Sequence, residues 1–143
     1  MFSIFSSFYF AKKSSSPKKF VKEFIKDYHK WYKTASRNPN ESKEFFDVSN
    51  KTKENYFKNI VDKYCQEDFK SQPVSFSEFT AHEPQKEKII SERINENQAI
   101  VITEMDKMSD FQIRYEYRLI RKDKKWNLTA VDYLDGNCTW PSL

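Results

Sequence analysis

The chain reads as an α+β domain in which N-terminal helices pack on a curved antiparallel sheet. Three observations predict this. Apolar residues recur at helical steps of three and four as far as Tyr64, and from Val74 onward they alternate with polar ones. The changeover happens once, so a run of helices precedes a run of strands, as in α+β domains rather than in βαβ repeats. Short polar turns, Asn95-Glu96-Asn97 and Arg121 to Lys125, separate the later runs at hairpin spacing.

Residues 1–16 form an apolar and then Ser/Lys-rich extension, and residues 17–143 form the single domain. Ser16 and Pro17 suit the N-cap and first position of a helix. From there Phe20, Phe24, Tyr28, Trp31 and Ala35 keep helical spacing, with Val21, Ile25 and Tyr32 widening the stripe. Arg37 to Asn40 ends this helix, because Pro39 turns the residue before it away from helical angles. A short helical turn over Glu41 to Phe46 is expected next. A second helix should run from an N-cap at Ser49 or Asn50 to Tyr64, with Phe57, Ile60, Val61 and Tyr64 on one face. A short alternating segment then carries Val74, Phe76 and Phe79. Strands follow over 86–95, 98–105, 111–120 and 126–134. In the third of these, Phe111, Ile113, Tyr115, Tyr117 and Leu119 share one face while Gln112, Arg114, Glu116 and Arg118 share the other. In the last, Trp126, Leu128 and Ala130 alternate with Asn127 and Thr129, but Val131 and Tyr133 fall on the second face, so both faces are expected to be partly covered.

With 143 residues and 17% aromatic content the chain can build a core without disulfides. Composition also excludes chemistries. Gly136 is the only glycine, so no phosphate-cradling loop or dinucleotide fingerprint can be written. Two histidines and two distant cysteines give no metal-binding spacing, and no cofactor is expected. The net charge of +4 is uneven. Residues 1–71 hold fifteen basic and nine acidic side chains, residues 72–143 ten and twelve. Lysines 18, 19, 22, 26, 30 and 33 are interrupted by Glu23 and Asp27, which describes a solvated helix face and not a nucleic-acid stripe. Met1 to Ala11 is apolar, but its lysines follow the stretch instead of preceding it, against the order of a secretion signal, and it is too short to span a bilayer. The expectation is a cytoplasmic monomer or weak homodimer with no membrane partner. A periplasmic location is the alternative if the apolar start belongs to a truncated signal.

Several residues suggest a family. Tyr64-Cys65 closes the second helix, Val74 to Pro84 opens on Ser-Phe and ends on Glu-Pro, and Lys86 to Met105 gives two strands. Arg114 to Trp126 places a Lys-rich turn before a Trp, and Tyr133 and Trp140 mark the tail. Together these resemble the nuclear transport factor 2-like superfamily, and within it the bacterial immunity proteins found beside polymorphic toxins. The stretch Gln66 to Lys70 departs from that pattern. The resemblance implies a cone-shaped domain that is no enzyme and that binds a cognate toxin domain encoded nearby. It makes Trp31, Tyr32, Tyr115, Tyr117 and Trp126 candidate anchors at the open end of the cone, with plain core packing as the competing reading. Glu83 and Asp110 become acidic rim residues suited to a basic toxin.

The alternative within the superfamily is a small-molecule binder or an isomerase- or dehydratase-like enzyme. Asp27, Tyr28 and His29 are the residue types such an enzyme uses for acid–base work, but His29 lies about 100° round the helix from the apolar stripe and should face solvent. His82, before Pro84, has no evident carboxylate partner and reads as a surface residue. Glu87 belongs with the acidic residues that give the sheet half its local negative charge, which suits a basic toxin domain, with plain solubility as the competing reading. Cys65 reads as a buried small hydrophobe and Cys138 as a tail residue, and whether they are bridged is open. The pocket interior discriminates: an enzyme needs a buried acid or base with oriented partners, whereas an aromatic-filled cone argues for binding through the outside.

Overall fold

The structure, a computed structural model, describes residues 16–36, 49–71, 82–106, 112–135 and 138–143. The expected extension, the helical turn at Glu41 to Phe46, the Val74 to Phe79 segment, Asp110 and Phe111 lie outside the described residues. Helix α1 (Pro17–Ser36) starts as the Ser-Pro signal requires, with Ser16 Oγ accepting from the Lys19 N–H at 3.3 Å. A second first-turn donor, the Lys18 N–H, is taken by Glu92 Oε2 of the sheet at 3.0 Å. Its carboxylate satisfies an orphan amide and opposes the positive end of the helix, fixing α1 on the sheet. Val21, Phe24, Ile25, Trp31 and Ala35 are buried, with Phe20, Tyr28 and Tyr32 packed beside them. This is the predicted stripe.

The second helical run has three parts without a break: α2 (Asn50–Tyr56), a π-helical segment (Phe57–Val61) and α3 (Asp62–Tyr64). Ser49 caps it, accepting from the Thr52 N–H at 3.3 Å. The π segment corrects the expected face. Its wider turn, in which the Asp62 N–H reaches back five residues to the Phe57 carbonyl, carries Phe57 out of the stripe. Phe57 is 42% exposed, and Tyr56 takes the inner place, with its ring 4.8 Å from that of Trp31. Residues after α3 continue onto the sheet, where Cys65 bridges in parallel to Leu128 and the Gln66 N–H donates to the Leu128 carbonyl at 3.0 Å.

The sheet is antiparallel with sequential order β1 (Glu87–Asn95), β2 (Gln98–Asp106), β3 (Gln112–Lys122), β4 (Lys125–Asp135) and β5 (Cys138–Pro141). The four expected strands are present, and the tail adds a fifth. One face carries Val101, Thr103, Tyr115, Tyr117, Leu119 and Leu128, and the helices cover it. Two bulges reset the alternation. In β4 the pairing steps from Arg118↔Ala130 to Leu119↔Leu128, which leaves Thr129 unmatched and bonded through its hydroxyl to the Arg118 carbonyl at 3.2 Å. The extra residue returns Val131 and Tyr133 to the face of Trp126 and Leu128. The reason for expecting two partly covered faces is thereby corrected: Val131 and Tyr133 belong to the core face, whose phase shifts at Thr129, while the other face is half-buried at Asn127, Ala130, Asp132 and Leu134. In β1, Ile90 is extra between Ile89↔Thr103 and Ser91↔Ile102, and it stands 48% exposed.

With glycine scarce, the two-residue turns rely on other residues in the left-handed region. Asp123 (φ 53°) and Lys124 (φ 64°) join β3 to β4 with the sign pattern of a type I′ turn, and Glu96 (φ 56°) begins the β1–β2 turn. Both cysteines are free. Cys65 is buried, with burial first and the charge of Asp62 second pushing its thiol up to about 12, while Cys138 is exposed.

Candidate functional site

At the centre of the covered face lies a polar cluster that sequence reasoning missed. Glu87, the first residue of β1, shares the inward parity of Ile89, and its side chain is wholly enclosed. Across the sheet Thr103 of β2 donates its hydroxyl to Glu87 Oε2 at 2.6 Å, and the Tyr117 hydroxyl of β3 donates to the same oxygen. His82 arrives from the segment before β1, with Nδ1 2.8 Å from Glu87 Oε1 and 2.9 Å from the Tyr117 oxygen. Proton positions follow by elimination. The carboxylate only accepts and the single Tyr117 proton is committed to it, so Nδ1 of His82 carries a proton and donates to both oxygens.

Burial on its own would raise the Glu87 carboxyl, yet the charge of His82 and the hydrogen bonds from His82, Thr103 and Tyr117 bring it below its ordinary value. Burial and the Glu87 charge push the Tyr117 hydroxyl well above its ordinary value, so it stays protonated and donating. An ionised acid held by three donors is the sort of set that general acid–base catalysis uses. Here it is sealed. The rings of Phe24, Tyr28 and Tyr115 lie 5.4, 4.8 and 4.6 Å from that of His82, and neither described cavity is lined by a member of the cluster.

These positions correct two expectations. His82 is fully buried beside a carboxylate and is not a surface residue, and Glu87 serves the interior instead of solubilising the sheet. Glu87 was legible from strand parity. His82 lies outside any periodic element, so no spacing announced it. His29 also departs from its solvent-facing expectation: it is half-buried, and its Nδ1 is enclosed with no hydrogen-bond partner among the described residues. It stands apart from the cluster, while its neighbour Tyr28 packs on it.

The candidate anchors divide in the same way. Trp31, Tyr115, Tyr117 and Trp126 are buried in the core, and Tyr32 is half-buried against it. Trp126 lies under the Arg121 guanidinium, 5.2 Å from the ring centroid. Glu83 is half-buried with Lys86 at 3.6 Å, which already balances it. Asp110 lies outside the described residues. The structure thus groups Tyr115 and Tyr117 around His82 and leaves the other candidates scattered.

Two of the accessible features among the described residues bear on binding. One is the sheet face opposite the helices, where the half-buried Ile100, Ile102 and Ile120 alternate with the ion pairs Arg114–Glu104 (3.0 Å) and Arg118–Glu116 (2.9 Å). The other is a groove of about 540 Å³ between α1 and α2, lined by residues that include Lys30, Lys51, Asn55, Asn59 and Lys63 around Trp31. Among the described residues no helix is long and apolar enough to cross a membrane, and no group of His, Cys, Asp and Glu could hold a metal ion.

Comparison with known proteins returned no match among curated proteins and none among solved structures. A family model described as NTF2 fold immunity protein matches residues 16–139, a span that takes in every described helix and the four long strands. The chain belongs to the family of NTF2-fold immunity proteins, whose general role is the neutralisation of toxins.

Proposed function

We propose that the protein binds a cognate bacterial toxin domain encoded near it, one to one, and so protects the cell that makes it. Family membership is the observation that carries this reading. The interior supports it: the Glu87 carboxylate is taken up by three donors of the chain itself, and the rings of Phe24, Tyr28 and Tyr115 pack on His82. Activity is then the complex itself, formed by surface residues in the cytoplasm by a monomer or weak homodimer. Burial of Trp31, Tyr115, Tyr117 and Trp126 argues that they hold the scaffold rigid and that contact falls to more exposed side chains.

The test is co-expression. The neighbouring toxin domain should kill cells alone and be tolerated with this protein present, and the two should co-elute on size exclusion. Persistent toxicity at full expression of a folded protein, with no complex formed, would sink the reading. The enzyme alternative rests on the Glu87–His82–Tyr117 set. It would gain only if a small molecule entered the interior and shifted the His82 ring resonances in a titration.

A further inference from the structure

We infer that the groove between α1 and α2 receives an acidic segment of the partner protein, with Lys30 and Lys51 as its cationic contacts. This inference rests on the binding role proposed above and names the chemistry of the surface the partner presents.

The groove has an apolar floor and a polar wall. Trp31, Ala35 and Thr52 form the floor, and the Trp31 indole donates to the Thr52 carbonyl at 3.4 Å, tying the two helices together beneath it. The walls hold three lysines and two asparagines against one carboxylate, Asp27. That carboxylate is spent. Lys63 Nζ lies 2.7 Å from Asp27 Oδ2, and the Tyr64 hydroxyl donates to the same oxygen. Partial burial would raise the Asp27 carboxyl, but these two hydrogen bonds and the charges of Lys63 and Lys30 hold it below its ordinary value. Lys30 and Lys51 are exposed and make no ion pair among the described residues. Among the described residues the groove therefore presents an excess of positive charge over an apolar base, the anatomy of an interface pocket with a polar rim. Of the two acidic side chains expected to greet a basic toxin, Glu83 is balanced by Lys86 and Asp110 lies outside the described residues, whereas the groove offers complementarity to an acidic segment.

A protein segment is favoured over nucleic acid. Phosphate-tracking grooves pair cations with exposed aromatic faces on which bases stack, and here the aromatic floor is buried while the walls contain no arginine. Asn55 and Asn59 add amide donors and acceptors suited to a peptide backbone.

The experiment uses the full chain, labelled for NMR, titrated with a short peptide of alternating Glu and Ala, with its Lys counterpart, and with a single-stranded oligonucleotide of mixed sequence. The Glu peptide should shift the Trp31 indole and the Asn55 and Asn59 side-chain amides. Lys30→Glu with Lys51→Glu should weaken it by about tenfold or more at low salt in a chain whose far-UV circular dichroism stays that of the wild type, and Lys51→Glu alone, which leaves the Lys30 charge beside Asp27 in place, should weaken it in the same direction. No shift at these signals, or tighter binding of the oligonucleotide, overturns the inference. So does a tenfold-order gain in peptide affinity when Glu41, Glu44 and Asp47 are changed to Ala, since the chain's own acidic residues would then be the occupant. Co-expression separates the two readings. Protection by the wild type that survives the double Lys→Glu change overturns the groove alone. Absent protection by the wild type, with the peptide still bound at Lys30 and Lys51, overturns the immunity role alone.

Discussion

Glu87 shows how much one side chain can hold. It joins β1, β2, β3 and the segment before β1 through His82, Thr103 and Tyr117. Its folded-state carboxyl lies below its ordinary 4.5, so in acid the unfolded chain binds the extra proton. The stabilisation is complete above the ordinary value and is lost as pH falls through the folded one. Glu87→Gln should cost about 3 kcal/mol near neutrality and flatten this acid dependence. Thermal melts of both forms across the acid range are the check, and an unchanged pH profile would count against the network. The parity that points Glu87 inward was in the sequence. Its meaning was not, because a carboxylate at the start of a strand looks like any solubilising charge until its partner is known, and His82, although only five residues earlier, lies outside any periodic element that would orient it.

At the scale of elements, periodicity located every described helix and the four long strands, and it failed where one residue is inserted. The π segment swaps Tyr56 for Phe57 on the inner face, and the bulge at Thr129 moves the core phase of β4 onto Val131 and Tyr133. Both insertions conserve burial while breaking the count, and a count is all that spacing offers. The turns carry a different cost. Lys124 sits at φ 64°, a conformation that disfavours any residue with a Cβ. Lys124→Gly should raise stability by about 0.5–1 kcal/mol, the steric relief outweighing the entropy glycine adds to the unfolded chain. A lowered denaturation midpoint would show that the lysine makes contacts worth more than its strain.

For the molecule as a whole, α1 is the plate on which the sheet closes. Phe24 has no exposed surface and meets Tyr64, His82 and Tyr117 edge-on at 5.4 to 5.7 Å. Phe24→Ala should cost about 3–5 kcal/mol and loosen the ring around the buried cluster. Denaturant unfolding measures it, and a loss below about 1 kcal/mol would mean that the interior collapses to fill the gap. The α+β architecture was legible because one switch of period divides the chain. The accessible contact surface was not, since the aromatic residues that looked like anchors are the same ones the core needs, and spacing does not tell an inward ring from an outward one at the end of a sheet.

The outermost strand has a bearing on self-association. β5 is four residues long and ends in Pro141, which has no amide proton to offer a neighbouring chain. At the other margin of the described sheet, the bulge at Ile90 interrupts β1 and charged Lys88, Glu92 and Arg93 flank it. A stray strand would find at one side too few amides and at the other a broken and charged ladder, so the molecule is a poor template for the edge-to-edge stacking that leads to fibrils.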